Sequence, residues 1–312
     1  MLATLAGGVG AARFLAGLVS VVPPEEVVAV VNTGDDDVFH GLHVSPDLDS
    51  VTYTLAGASN TAQGWGLEGE TFATLDALAR YDVETWFRLG DKDLATHLFR
   101  TARLRAGAPL SAVTAEITRA WSVGTRLLPM SDDPVRTRIT VARDGGGTEE
   151  LAMQKWFVGE RAASPVLSVR FEGSEAARPA PGVLDALATA DTIVICPSNP
   201  VISIAPILAV TGVRDILIAR RDRVVAVSPI VGGAPVKGPA DRLMAPLGIE
   251  VSCVGVARNY AELCGSLVID AVDADRAEEV EAAGVHAVVT DTMMRSPEIA
   301  AALAARTLAA VA

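Results

Sequence analysis

Residues 27–31 read Val-Val-Ala-Val-Val, a run with no polar position. A strand with one wet face alternates polar and apolar residues. A strand apolar throughout needs cover on both faces, which is the situation of a parallel sheet between two helical layers. Other segments obey the same constraint. Leu2 to Leu5 reads as a strand and Ala11 to Val19 as the helix after it. Further strands are expected at Thr192 to Cys196, Ile216 to Ile218, Val224 to Val227, Val251 to Val254, Leu267 to Ile269 and Ala287 to Val289, with helical patterns between most of them. Alternation of this kind predicts an α/β fold: a doubly wound, mostly parallel, Rossmann-like sheet.

Two stretches break the alternation. Residues 46–123 are dominated by helical periodicity, at Leu48 to Leu55, Thr71 to Ala79, Asp93 to Arg103 and Leu110 to Ala120. They read as a helical insertion into a core made of 1–45 and 124–312. Residues 136–171 alternate in places and contain Gly145-Gly146-Gly147, which predicts a small antiparallel β addition to that core. A chain of 312 residues is long enough for this arrangement.

The charge balance narrows the partners. Acids outnumber bases by 38 to 26, which argues against nucleic-acid binding, since that needs a basic face. Three cysteines without a CxxC spacing indicate neither a disulfide framework nor a zinc site, and fit a reducing cytoplasm. The apolar N-terminus has Arg13 within it and is broken by glycines, so it reads as strand, turn and helix rather than a signal peptide. No apolar run suits a membrane span.

In an open parallel sheet, ligands bind beyond the carboxyl ends of the strands. The first strand is followed by Ala6-Gly7-Gly8-Val9-Gly10-Ala11-Ala12-Arg13, the second by Asn32-Thr33-Gly34-Asp35-Asp36-Asp37. Cys196 is followed by Pro197-Ser198-Asn199-Pro200, Val227 by Ser228-Pro229-Ile230-Val231-Gly232-Gly233, and Val289 by Thr290-Asp291-Thr292. Glycines in the first of these loops let backbone N–H groups approach a phosphate at a helix start. It lacks the Lys-Ser/Thr of a Walker loop, and the acid that would hold a dinucleotide ribose is replaced by Asn32 or Thr33. Carboxylates crowd nearby at Asp35, Asp36, Asp47 and Asp49, a set able to hold Mg²⁺, which prefers oxygen ligands.

Structural roles compete for several of these residues. Ser45 and Pro46 suit a helix start, with Asp47 in its first turn. Asp49 has less structural reason to be acidic, and two residues apart on a helix it points about 200° away from Asp47. Asp91 reads as the cap of the helix that follows it. His40 and His43 read as turn or surface residues, and His97 lies on a helix.

Together the loops resemble the 2-phospho-L-lactate transferase family, also called phosphoenolpyruvyl transferases, of coenzyme F420 biosynthesis. The stretches that carry the resemblance are LAGGVGAARFLAGL, VVNTGDDDVFHGLHVSPDLDSVTYTLAG, GWGLEGETF, RLGDKDLATHLFRT, LPMSDDPVRT, CPSNPVISIAPIL, SPIVGGAPVKGPA and VTDTMM. They run from residue 2 to about 295. The three-Asp run at 35–37 departs from the two acids expected there and leaves open which carboxylates face a metal.

The resemblance implies a Mg²⁺-dependent transfer of a phospholactyl or phosphoenolpyruvyl group from a GDP-linked donor to the deazaflavin Fo, with release of GMP. It implies Fo contacts from Asp49 and Arg88, with the helical insertion contributing to that site, and a catalytic role for Asp49 and Asp47. Donor contacts fall on Gly7, Gly8, Gly10, Arg13, Ser198, Asn199, Gly232 and Lys237. Candidate metal ligands are Asp35, Asp36, Asp47 and Asp49. A homodimer is plausible, and no residue decides between lactate, enolpyruvate and glycerate donors. The alternative is a nucleotide-sugar-binding regulatory protein of the same superfamily, which shares the first glycine loop but carries a Gly/Ser-rich segment where this chain has TGDDDVFHGLHVSPDLDS.

Overall fold

A computed structural model describes residues 1–311. The chain begins with β1 (Leu2–Ala6), α1 (Gly8–Leu18) and β2 (Val27–Val31). A two-stranded hairpin, β3 (Asp37–Phe39) and β4 (Leu42–Val44), leads into four helices: α2 (Pro46–Leu55), α3 (Ala73–Leu78), α4 (Asp93–Arg105) and α5 (Leu110–Ala120). The chain returns through β5 (Arg126–Pro129) and forms an antiparallel sheet from β6 (Arg136–Ala142), β7 (Thr148–Ala152) and β8 (Val166–Glu172). Then come α6 (Val183–Thr189), β9 (Thr192–Ile195), a helical turn Pro200–Ile204 continuing into α7 (Ala205–Leu208), α8 (Val213–Ala219) and β10 (Val224–Val227). The small hairpin β11 (Ile230–Val231) and β12 (Ala234–Pro235) precedes α9 (Ala240–Met244), α10 (Cys253–Tyr260), β13 (Ser266–Asp270), α11 (Ala277–Ala282), β14 (His286–Thr290) and α12 (Pro297–Leu308).

The central sheet has seven strands in the order β14-β13-β10-β9-β1-β2-β5, and all its pairings are parallel. The expected doubly wound sheet is therefore present, with small antiparallel additions. Successive residues of β2 divide between the two cores: Val28 and Val30 pack on one face, Val27, Ala29 and Val31 on the other. That explains the unbroken apolar run. Each fully buried valine contributes about 1.5–3 kcal/mol relative to exposure. Helices α1, α2 and α12 cover one face through Phe14, Leu15, Leu48, Val51 and Leu303. The antiparallel sheet, the helical turn Lys155–Gly159 between β7 and β8, and α6, α8, α9 and α10 cover the other through Ile139, Trp156, Leu187, Leu217, Leu243 and Val256.

Two expected strands are helices. Ile216 to Ile218 lies within α8, where Val213 and Leu217 are buried four residues apart and Arg214 and Asp215 face out. Val251 to Val254 runs into α10, whose start is capped by Ser252 Oγ accepting the Gly255 N–H at 3.0 Å. Apolar runs of three or four residues do not distinguish the two states. The edge strand β5, Arg-Leu-Leu-Pro, carries little sequence signal because it is short and ends on proline, as an edge strand can. Among the described residues no single helix is long and apolar enough to cross a membrane.

Candidate active site

From β1 the chain builds outward through β2 to β5. From β9 it builds the other way through β10, β13 and β14. The strand order reverses between β1 and β9, and a crevice at the carboxyl ends of these two strands is the expected ligand site. A cleft of ≈570 Å³ opens there. Its wall includes Gly7, Gly8, Gly10, Arg13, Asp35, Asp47, Asp49, Arg88, Ser198, Asn199 and Lys237. Asp36 and Gly232 are not part of the wall.

The glycine turn is held by close packing. Gly8 has φ +72°, which disfavours a side chain. A methyl at Gly10 would overlap the Pro197 carbonyl, so α1 lies directly on the loop after β9. Ser198 Oγ accepts the Gly7 N–H at 3.3 Å, and Asn199 Oδ1 accepts from Val201 N–H at 2.9 Å to cap the helical turn after it. Arg13 and Lys237 are both exposed at the mouth. Partial burial and the charge of Arg13 hold Lys237 below its ordinary value, and its ammonium donates to the Gly64 carbonyl at 3.1 Å. Gly232 instead gives its N–H to the buried Asp273 carboxylate at 2.9 Å.

The carboxylates form two groups with different electrostatics. In the first, one side-chain nitrogen of Asn32 donates to Asp35 Oδ1 at 3.1 Å and Asp47 Oδ2 at 2.9 Å. Burial, then repulsion from Asp47, pushes Asp35 well above the ordinary carboxylate range. Asp47 is pushed up to about 7, chiefly by burial and further by Asp36. Among the described residues no basic side chain forms an ion pair with either of them. Asp36 sits behind, its Oδ2 accepting from Ser45 Oγ at 2.7 Å and lying 3.0 Å from His43 Nε2. Its Oδ1 is buried without a hydrogen-bond partner. Ser45 thus does not cap α2 as expected; its hydroxyl is drawn to Asp36.

The second group is balanced. Arg100, 1% exposed, binds both oxygens of Asp49 through its two terminal nitrogens. His97 Nε2 lies 3.1 Å from Asp93 Oδ2, and Tyr53 donates its hydroxyl to Asp93 Oδ1 at 2.5 Å. Burial raises Asp49; Arg100 and His97 only partly offset it. At Asp93 burial also acts upward, but bonding to His97 and Tyr53 outweighs it and the carboxyl ends low. Asp49, Asp93 and His97 come close enough together to hold a metal ion. Asp49 therefore has a strong structural reason to be acidic, contrary to the sequence expectation: it neutralises a buried arginine. The 200° divergence of Asp47 and Asp49 is realised as two separate clusters served by one helix turn.

The sequence model of the family described as "2-phospho-L-lactate transferase CofD" matches residues 2–307. The phosphoenolpyruvate transferase of Streptomyces griseus is 47% identical over 306 residues, covering 97% of this chain and 96% of its own. The enzyme of the same name from Mycobacterium avium is 40% identical over 316 residues, covering 94% and 93%.

The chain belongs to the 2-phospho-L-lactate transferase family.

It is accordingly an enzyme of phospho-group transfer. A solved structure of a UPF0052-family protein from Bacillus halodurans aligns with TM-score 0.62 at 16% identity, covering 98% of both chains, and shares the fold. The regulatory alternative is set aside, because transferase relatives resemble the chain at 40–47% identity over nearly its whole length.

Several residues that now stand out in this transferase were not singled out from sequence. Asn32, which in sequence marks only the absence of a ribose-binding acid, bridges Asp35 and Asp47. Arg100 lies one helical turn from His97 in α4, and Asp93 and His97 are four apart; that i, i+4 spacing was the available signal.

Proposed function

We propose that this enzyme transfers a phosphoenolpyruvyl or 2-phospholactyl group from a GDP-linked donor to the terminal ribityl hydroxyl of Fo, releasing GMP, in the cytoplasm. The supporting observation is that one cleft at the strand-order reversal joins a glycine turn, an uncompensated acid pair, and an aromatic wall carrying Trp65, Trp86, Phe87 and Arg88. The hydroxyl oxygen attacks the donor phosphorus that bears the acid. A new P–O bond forms, the P–O bond bridging to GMP breaks, and the bridging oxygen leaves with GMP.

Such transfer depends mostly on positioning and charge neutralisation. The turn from Gly7 to Gly10, with Arg13, Lys237, Ser198 and Asn199 around it, suits the donor's diphosphate and nucleoside. Asp49, fixed by Arg100, accepts the hydroxyl's hydrogen bond and then its proton, consistent with a carboxyl raised by burial. Arg88 and the aromatic wall take the deazaflavin ring.

The chemistry of the donor set fits Mg²⁺ at Asp35 and Asp47, the two uncompensated carboxylates of the cleft wall, with Asp36 held behind them by Ser45 and His43. Two buried carboxylates without a cation partner are an all-oxygen site, whereas Asp49 is already neutralised by Arg100. When bound there, Mg²⁺ supplies positive charge opposite the donor phosphates. Quenching of Fo fluorescence on titration with the protein tests the acceptor, and competition among GDP-linked lactate, enolpyruvate and glycerate donors identifies the donor. Absence of quenching at saturating protein contradicts the reading.

A further inference from the structure

Helices α3 and α4 both start without a side-chain cap of their own. The first N–H groups of a helix need acceptors, and here the two starts exchange them. Asp91, which precedes α4, accepts from the Ala73 and Thr74 N–H groups of α3 at 2.9 and 3.0 Å, and from the Thr71 hydroxyl at 2.5 Å. Glu70, which precedes α3, accepts from the Lys92 and Asp93 N–H groups at the start of α4 at 3.0 and 2.7 Å. The Asp91 N–H reaches the Thr71 carbonyl at 2.9 Å, and the Lys92 ammonium reaches the Glu68 carbonyl at 2.8 Å. Gly90 is required for the approach, since a methyl there would overlap the Glu70 carboxylate. The Thr71 hydroxyl and the α3 amides hold the Asp91 carboxyl down to about 2. Sequence reading expected Asp91 to cap its own helix; it caps the other one.

Neither Glu70 nor Asp91 reaches the cleft wall. What they join does. On one side Arg88 lies with its guanidinium 4.1 Å from the Phe72 ring centroid, and Trp65 packs against Phe72 at 6.2 Å. On the other, α4 carries Asp93 and His97 into the cleft. The seam between residues 68–74 and 90–93 is therefore the joint that sets one wall against the other.

We propose that Glu70 and Asp91 are positioning residues: by capping each other's helix they fix the Arg88–Phe72 wall against the Asp93–His97 end of α4 and set the acceptor side of the cleft. This rests on the assignment of that side to Fo above.

Glu70→Ala and Asp91→Ala should each raise the KM for Fo about tenfold while the donor KM stays within about twofold. Glu70→Gln and Asp91→Asn, which keep an oxygen acceptor, should recover most of the loss. Because the two carboxylates hold one seam, the double alanine variant should cost little more than either single one. Hydrogen exchange at Ala73, Thr74, Lys92 and Asp93 should quicken together in either alanine variant. Additive KM effects, equal rises in donor and acceptor KM, or a loss confined to kcat that tracks thermal stability would overturn the proposal. A wild-type protein inert toward Fo sinks the functional reading instead. The seam is then judged by exchange alone: quickening at Lys92 and Asp93 in Glu70→Ala, with Ala73 and Thr74 unmoved, overturns it.

Discussion

Replacing Asp47 by Asn should stabilise the metal-free protein at alkaline pH and abolish its response to Mg²⁺. Below pH 3.8 Asp47 is protonated in both folded and unfolded chains and has no net effect. As pH rises toward 7, the unfolded chain releases this proton while the folded chain keeps it, so stability falls; above 7 the loss is complete. The gap between 3.8 and about 7 corresponds to on the order of 4 kcal/mol. About two of those three pH units lie between pH 5 and pH 8, on the order of 3 kcal/mol, which at about 2 °C per kcal/mol for a chain of this size is a Tm difference of roughly 5–6 °C across that window. Asn carries no proton to lose, still accepts from the Asn32 amide, and relieves the repulsion on Asp35. Thermal unfolding in EDTA from pH 5 to pH 8 should therefore show a steep fall for the wild type and a shallow one for Asp47→Asn. Mg²⁺ should raise the wild-type Tm most at pH 8, where the proton no longer competes, and leave the variant nearly unmoved. Equal pH slopes in the two proteins, or an undiminished Mg²⁺ response in the variant, would refute the argument.

Arg100→Met leaves Asp49 buried without its partner and should destabilise the fold by about 3–5 kcal/mol, read by urea unfolding. Asp49→Asn should lose transfer at least ~10²-fold and also lower Tm, because Arg100 then lacks its counter-charge; wild-type turnover in a folded variant counts against Asp49. Arg13→Ala should raise the donor KM and leave Fo quenching unchanged, which steady-state kinetics and a fluorescence titration check together. Gly10→Ala forces α1 away from the Pro197 carbonyl and should cost about 1–3 kcal/mol along with donor affinity, measured by unfolding and donor titration.

The sheet was legible because burial on both faces leaves a simple trace: Val27–Val31 admits no polar residue, and the loops after β1 and β9 carry the glycines and Asn199 that a crowded strand end needs. Short runs were not legible, since Ile216 to Ile218 packs equally well as one turn of α8. The glycine turn and the acids were visible as residue types in the right loops. That Asp47 and Asp49 face different ways was visible from their helix spacing; what neutralises Asp49 was not, because it depends on α4, which brings Arg100 and His97 to it from 51 and 48 positions away in sequence. The crossed caps of Glu70 and Asp91 were invisible for the same reason: each carboxylate lies one or two residues before the N-cap of its own helix, Phe72 or Lys92, and only the close approach at Gly90 reveals the exchange.

The central claim is the transfer itself. Purified enzyme incubated with Fo, Mg²⁺ and a GDP-linked donor, and followed by chromatography with mass detection and ³¹P resonance, measures it directly. The account predicts an Fo phosphodiester carrying the donor acid and GMP appearing in equal amounts, with neither formed in EDTA. GMP released without modified Fo, or GDP released in its place, would contradict it.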